Sequence, residues 1–152
     1  MREILFRGID SLTGKWVQGD LLHISSGCII YHGSQTESEI KENTGAAIEL
    51  LINEISVVKP KTVGQFTGLT DKNGVKIFEG DIIQDKYDES CNHVIKYFEE
   101  ESCFGVLYIG LNGSLTPMSR LAKDWINEFD KVVIGNIHKN PELLTESHFK
   151  PF

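Results

Sequence analysis

Residues 64–83 read Gly-Gln-Phe-Thr-Gly-Leu-Thr-Asp-Lys-Asn-Gly-Val-Lys-Ile-Phe-Glu-Gly-Asp-Ile-Ile, and their order is that of a β-hairpin. Thr62–Leu69 and Val75–Gln84 carry the β-branched and aromatic residues of two strands, with Asp71-Lys72-Asn73-Gly74 between them. Asn-Gly supplies the positive φ that a tight antiparallel turn requires, since glycine has no Cβ to clash there.

Working outward, Ile4, Phe6 and Gly8 alternate with Leu5 and Arg7, and Asp10–Gly14 offers a turn before Lys15–Leu22, which predicts an opening hairpin. Cys28–Tyr31 is a short strand, and 32–38 is a polar, glycine-containing loop. Between Thr44 and Ile55 two periods compete. Ile48, Leu51, Ile52 and Ile55 match a helical stripe, whereas Ile48, Leu50 and Ile52 alternate, and the reading adopted is a short helix. Ile55–Val58 is strand-like before Pro60, with an extended approach to residue 62.

Downstream, His93–Phe98 and Phe104–Ile109 form another antiparallel pair, followed by a turn over Gly110–Gly113. Leu121 and Trp125 stand at helical spacing, Val132–Ile137 is the last strand, and Asn140-Pro141 opens a short terminal helix. The expected fold is therefore mainly β, a β-rich α+β chain with one to three short helices. Strands this short close most naturally as a small barrel, which leaves no exposed edges. A single domain over 1–152 is expected, with an N-terminal hairpin extension (about 1–56), a barrel core (about 57–138) and a short C-terminal helix or tail.

Composition narrows the function classes. An apolar fraction of 40% and a charged fraction of 24% over 152 residues are globular values. Arg2 and Glu3 interrupt the N-terminal apolar run, and Ala46–Ile52 contains Glu49, so neither a signal-peptide core nor a membrane span is expected. Cys28, Cys91 and Cys103 are an odd, scattered set, read as free thiols of a chain kept in a reducing cytoplasm. The net charge of −7 opposes phosphate backbones, and over half of it lies in 85–102, where six carboxylates face only Lys86 and Lys96.

The opening Arg2-Glu3-Ile4-Leu5-Phe6-Arg7, the central Gly64–Leu69, Asp71–Gly74 and Ile77–Ile82, and the closing Val133–Ile137 with Asn140–Leu143 together resemble the YopX family. Residues 24–56 and 85–130 contribute little to the match. Gly8-Ile9-Asp10 stands where many members have a tryptophan, and Phe66 and Phe78 stand where tyrosine is common, which keeps apolar bulk and removes hydroxyls. The resemblance implies a prophage or bacteriophage accessory protein with an SH3-like barrel, and it brings no catalytic residues.

The residues offer few chemical constellations of their own. Glu79-Gly80-Asp81 would place two carboxylates on one strand face, where they share a cation or a proton, but no third ligand is fixed, and acids at a barrel rim explain them as well. Cys91-Asn92-His93 with Cys103 lacks the spacing of a zinc site. Gly8–Lys15 differs from a phosphate-binding loop by one residue of spacing and by Trp16 in the hydroxyl position. Tyr97, Phe98, Phe104 and Tyr108 suggest a base-stacking platform, yet Glu99, Glu100 and Glu101 beside them repel phosphates, which favours core packing.

The resulting expectation is a non-enzymatic accessory protein without cofactor or metal, acting in the bacterial host cytoplasm through a protein partner or its own homo-oligomer. Asp71, Lys72, Glu79 and Asp81 form the candidate interaction surface. The alternatives are nucleic-acid binding through Lys59, Lys61, Lys72 and Lys76, and a cation-dependent enzyme using Glu79 and Asp81.

Overall fold

The computed structural model describes residues 2–33, 54–110 and 114–144, and the helix expected over 44–55 lies almost wholly outside them. The chain is mainly β and divides into two compact units, Met1–Gln65 and Phe66–Phe152.

In the first unit, β1 (Phe6–Ile9) and β2 (Trp16–Ile24) form the opening hairpin, in register from Phe6 opposite Gly19 to Ile9 opposite Trp16. Asp10 shapes its turn: Oδ1 accepts the Leu12 and Thr13 amides at 2.8 Å each. β3 (Gly27–Tyr31) pairs with β2 and with β4 (Ile55–Val58), the predicted strand before Pro60. Their alternation turns Cys28, Ile30 and Val58 into a core that Val17, Leu21 and Val63 complete. The extended approach to residue 62 is replaced by a 3-10 turn, Pro60–Thr62. Proline presets its first φ, and the Thr62 hydroxyl donates to the Lys59 carbonyl at 2.7 Å while accepting the Ile9 amide at 2.9 Å.

β5 (Gly64–Thr70) begins opposite β1, Gln65 facing Phe6. In the second unit its later residues pair with β6 (Lys76–Phe78), so the central hairpin forms as read. The long strand expected over Val75–Gln84 is broken at Gly80, whose φ of 85° only glycine adopts without strain. There the chain turns from β6 into β7 (Asp81–Asp85), which pairs with β8 (Asp88–Phe98) instead. β9 (Cys103–Ile109), β10 (Leu115–Arg120) and β11 (Val132–Asn136) complete a five-stranded antiparallel sheet ordered β10-β9-β8-β7-β11. The predicted β8–β9 pair holds, with His93 opposite Tyr108 and Phe98 opposite Cys103.

Ile82-Ile83, Val94-Ile95 and Val106-Leu107 are adjacent apolar pairs, and a strand sends neighbours to opposite faces. Ile83, Ile95 and Val106 accordingly pack on one face with Ile77 and with Ile126 of α1 (Lys123–Glu128), the helix expected from Leu121 and Trp125. Ile82, Val94, Leu107 and Ile109 pack on the other with Ile134, Ile137, Leu143 and Leu144. The terminal helix is a single 3-10 turn, Pro141–Leu144, whose Leu143 amide donates to the Asn140 carbonyl at 3.0 Å.

The barrel expectation does not hold: no closed barrel forms among the described strands. In the five-stranded sheet β10 and β11 stand at opposite edges. β10, which no apolar alternation announced, is exposed at every residue, contains Pro117 and is bulged between Pro117 and Ser119. β11 is bulged between Val133 and Gly135. A proline without an N–H and a bulge both end ladder formation. In the first unit β4 returns to the end of β1 through one bridge, Asp10 to Val58, not a ladder. Among the described residues no helix is long and apolar enough to cross a membrane.

Candidate functional site

The four residues singled out in sequence lie on or beside the central hairpin, but three of them are committed to backbone. Asp71 is 5% exposed. Its Oδ1 accepts the Asn73 and Val75 amides at 2.8 and 2.9 Å, shaping the turn, and its Oδ2 accepts the Val133 amide at 2.9 Å, docking the turn on β11. The Lys72 amide adds a bond to the Lys131 carbonyl at 3.0 Å.

Glu79 and Asp81 do not share a strand face, because the Gly80 corner separates them. Glu79 Oε1 accepts the Tyr97 amide at 3.3 Å. Asp81, 1% exposed, accepts the Phe78 amide at 2.7 Å on Oδ2 and the Asn136 side-chain amide at 3.4 Å on Oδ1. A Cβ at Gly80 would stand 3.2 Å from Asn136 Nδ2, so the corner leaves little room for a side chain. Both carboxylates shape the corner.

Lys72 is the exposed member of the four, and it forms an ion pair with Asp130, which also accepts the Tyr87 hydroxyl at 2.8 Å. These bonds hold the Asp130 carboxyl below its usual range and raise both Lys72 and Tyr87, since each loses its contact with the carboxylate on deprotonation. Lys76 lies with Nζ 5.2 Å from the centre of the Phe66 ring, so two of the four lysines considered for nucleic acid have local partners.

A cluster that sequence reasoning missed lies beneath. Lys131 is 2% exposed, with Nζ 3.4 Å from Asp85 Oδ2 and 4.7 Å from the Trp125 ring centre. His93, also buried, meets the edges of Trp125 and Tyr108 and has its Nε2 3.8 Å from Cys91 Sγ. Burial first, and the Lys131 charge second, lower His93 to about 4, so its imidazole is neutral at neutral pH. Burial raises the Cys91 thiol, which makes it a poor nucleophile. The only sequence signal for Lys131 is a lone cation at the head of the apolar run Val132-Val133-Ile134.

Cys103 does not join this cluster. It pairs with Phe98, placing Cys91 seven residues away along β8, about 23 Å at strand rise. Among the described residues no three His, Cys, Asp or Glu side chains are grouped to hold a metal ion.

The four aromatics pack into the fold. Tyr97 meets Phe104 edge-on at 5.2 Å, Tyr108 meets His93, and Phe98 joins the core under β11. Where β8 ends, a groove of about 530 Å³ opens, lined by Lys96–Glu101 and Pro117. Glu99, Glu100 and Glu101 form a 3-10 turn at its wall, closed by Ser102 at a φ of 53°. Glu101 accepts the Arg120 Nε–H at 3.1 Å, which raises the guanidinium further.

No curated protein matches the chain. One solved structure with a similar fold is protein EF1440 from Enterococcus faecalis, at 24% identity and a TM-score of 0.54, with 95% of this chain and 99% of that chain covered. The model of the family described as YopX protein matches residues 5–145. That span holds the central hairpin, the Gly80 corner and the closing strand with its turn, and the chain belongs to the YopX family.

Proposed function

We propose that this protein is a non-enzymatic phage or prophage accessory protein that works in the host cytoplasm through contact with a protein partner or with itself. The observation that carries the reading is the open groove at the end of β8, which Pro117 of the exposed edge strand β10 helps to line. An open surface bounded by a sheet edge, aromatic rings and unburied charge suits a polypeptide better than an enclosed small molecule. The commitment of Asp71 and Asp81 to backbone amides weighs against the cation-dependent enzyme and equally takes both carboxylates out of the expected interaction surface.

Affinity capture of the tagged protein during prophage induction, with and without nuclease, tests this reading, and light scattering reports self-association. A stoichiometric partner that survives nuclease, or a defined oligomer, is the expected result. Partners lost with nuclease would overturn it in favour of nucleic-acid binding.

A further inference from the structure

Resting on the protein-contact reading, we infer that the outer face of β2, β3 and β4 docks on the same face of a second copy of this chain. Strand alternation sends Val17, Leu21, Cys28, Ile30 and Val58 toward the core of the first unit and leaves the intervening side chains facing out. A solvated antiparallel sheet face is normally polar, and this one is aliphatic. Leu22 stands opposite Ile29, and Ile29 opposite Val57, so the three form one row across the strands. Ile24 lies two residues beyond Leu22 on the same face. Leu22, Ile24 and Val57 are close to half exposed, and Ile29 is half-buried. Such a face is covered by another sheet face, whose side chains interdigitate with it.

The charges at its margins decide the occupant. Asp20 begins the face on β2, opposite Tyr31, and Lys59 ends it just past β4, where the backbone is still extended. Both are exposed, and among the described residues neither side chain has an ion pair. They stand at opposite corners of an array about 10 Å wide and about 14 Å long, with Ile29 at its centre. A two-fold contact uses one patch twice, so the patch has to complement itself. Turned face to face with the strands crossing steeply, two such arrays bring Ile29 onto Ile29 and set Asp20 of each copy against Lys59 of the other. Two ion pairs then flank an aliphatic centre. One carboxylate and one ammonium leave the array without net charge, so it selects neither a polycation nor a phosphate backbone. A contact of this size makes a reversible dimer.

The test is sedimentation velocity over a dilution series of wild type, L22T/V57T and V75T/M118T. The last pair removes exposed apolar side chains from the second unit. A dimer that dissociates on dilution is expected, weakened about tenfold or more in L22T/V57T and less than about twofold in V75T/M118T. D20K and K59D should each weaken it about fivefold, and D20K/K59D, with the two charges exchanged, should return to within about twofold of wild type. A second reversal does not rescue a misfolded variant, so the exchange separates lost contact from lost fold. Equal losses in L22T/V57T and V75T/M118T, or no recovery in D20K/K59D, overturn the assignment. If wild type stays monomeric yet captures a nuclease-resistant partner, or forms a dimer that ignores every substitution on this face, the assignment falls and the protein-contact reading stands. A monomer that captures no partner sinks both.

Discussion

Two aspartates open two turns, and they differ in how each ties its turn to a distant strand. Asp10 accepts the Leu12 and Thr13 amides and closes an exposed turn in the first unit, where Leu12 is 94% exposed. Asp71 does the same for Asn73 and Val75, but its second oxygen takes the Val133 amide, 62 residues away. Asp10 in turn meets the Ser56 hydroxyl of β4, so each aspartate ties its turn to a distant strand, the first through a side-chain hydroxyl and the second through a backbone amide. What an aspartate contributes depends on what its second oxygen meets.

The largest effect should come from cutting the tie made through backbone amides, at Asp71. Asp71→Ala leaves three amides without their acceptor and is expected to cost about 4 kcal/mol in urea unfolding. Asp71→Asn keeps one carbonyl oxygen, serves either the turn or Val133, and should lose about half as much. Equal losses for Asp71→Ala and Asp10→Ala would erase the distinction.

Next comes the ion pair behind the docked turn. Lys131→Met strands Asp85 and should cost about 3 kcal/mol, whereas adding Asp85→Leu should restore most of it, because two apolar side chains need no pairing. A double variant no better than the single one would show that Asp85 acts elsewhere, for instance through the Tyr87 amide it accepts at 2.9 Å.

His93 sharpens the comparison by pH. Its folded pKa of about 4 lies below the ordinary 6.5, so the unfolded chain binds the proton first. Its contribution is complete above 6.5 and is lost as pH falls from 6.5 to 4, by about 2–3 kcal/mol. His93→Phe should flatten that stretch of the stability curve, and an unchanged slope would remove His93 from the account.

Asp10 gives the smallest effect and the most acidic one. The Thr13 amide, the Ser56 hydroxyl and the Leu12 amide hold its carboxyl at about 2, so its contribution persists above 3.8 and is lost between 3.8 and 2. Hydrogen exchange at the Leu12 and Thr13 amides should report this locally, and Asp10→Asn should abolish the dependence.

Much of this contrast was readable in the sequence, and the unreadable part has one cause. Asp71-Lys72-Asn73-Gly74 and Asp10–Gly14 announce turns because turn chemistry is local. Val133 as the partner of Asp71, and Asp85 as the partner of Lys131, are separated by too many residues for any spacing rule to connect them. The Gly80 corner shows the same limit: Glu-Gly-Asp alternates like a strand, and only the ladder to β8 shows that the chain leaves β6 there. β10 escaped notice because Leu115–Arg120 is exposed at every residue, so no buried face imprints a period on it. The barrel closure failed for a related reason, since edge bulges and Pro117 are features of pairing geometry, not of hydrophobic pattern.

The placing of β11 also bears on how the chain is made. β8 and β9 are joined by a few residues and can pair as soon as both exist, whereas β11 must find β7 across the whole length of the sheet, Asn136 reaching back 55 residues to Asp81. A nascent chain that ends before residue 131 already carries Ile82, Val94 and Leu107 but lacks the Ile134, Ile137 and Leu143 that cover them. Synthesis therefore passes through an interval in which one sheet face is bare, and β11, the last of the described strands, helps to close it.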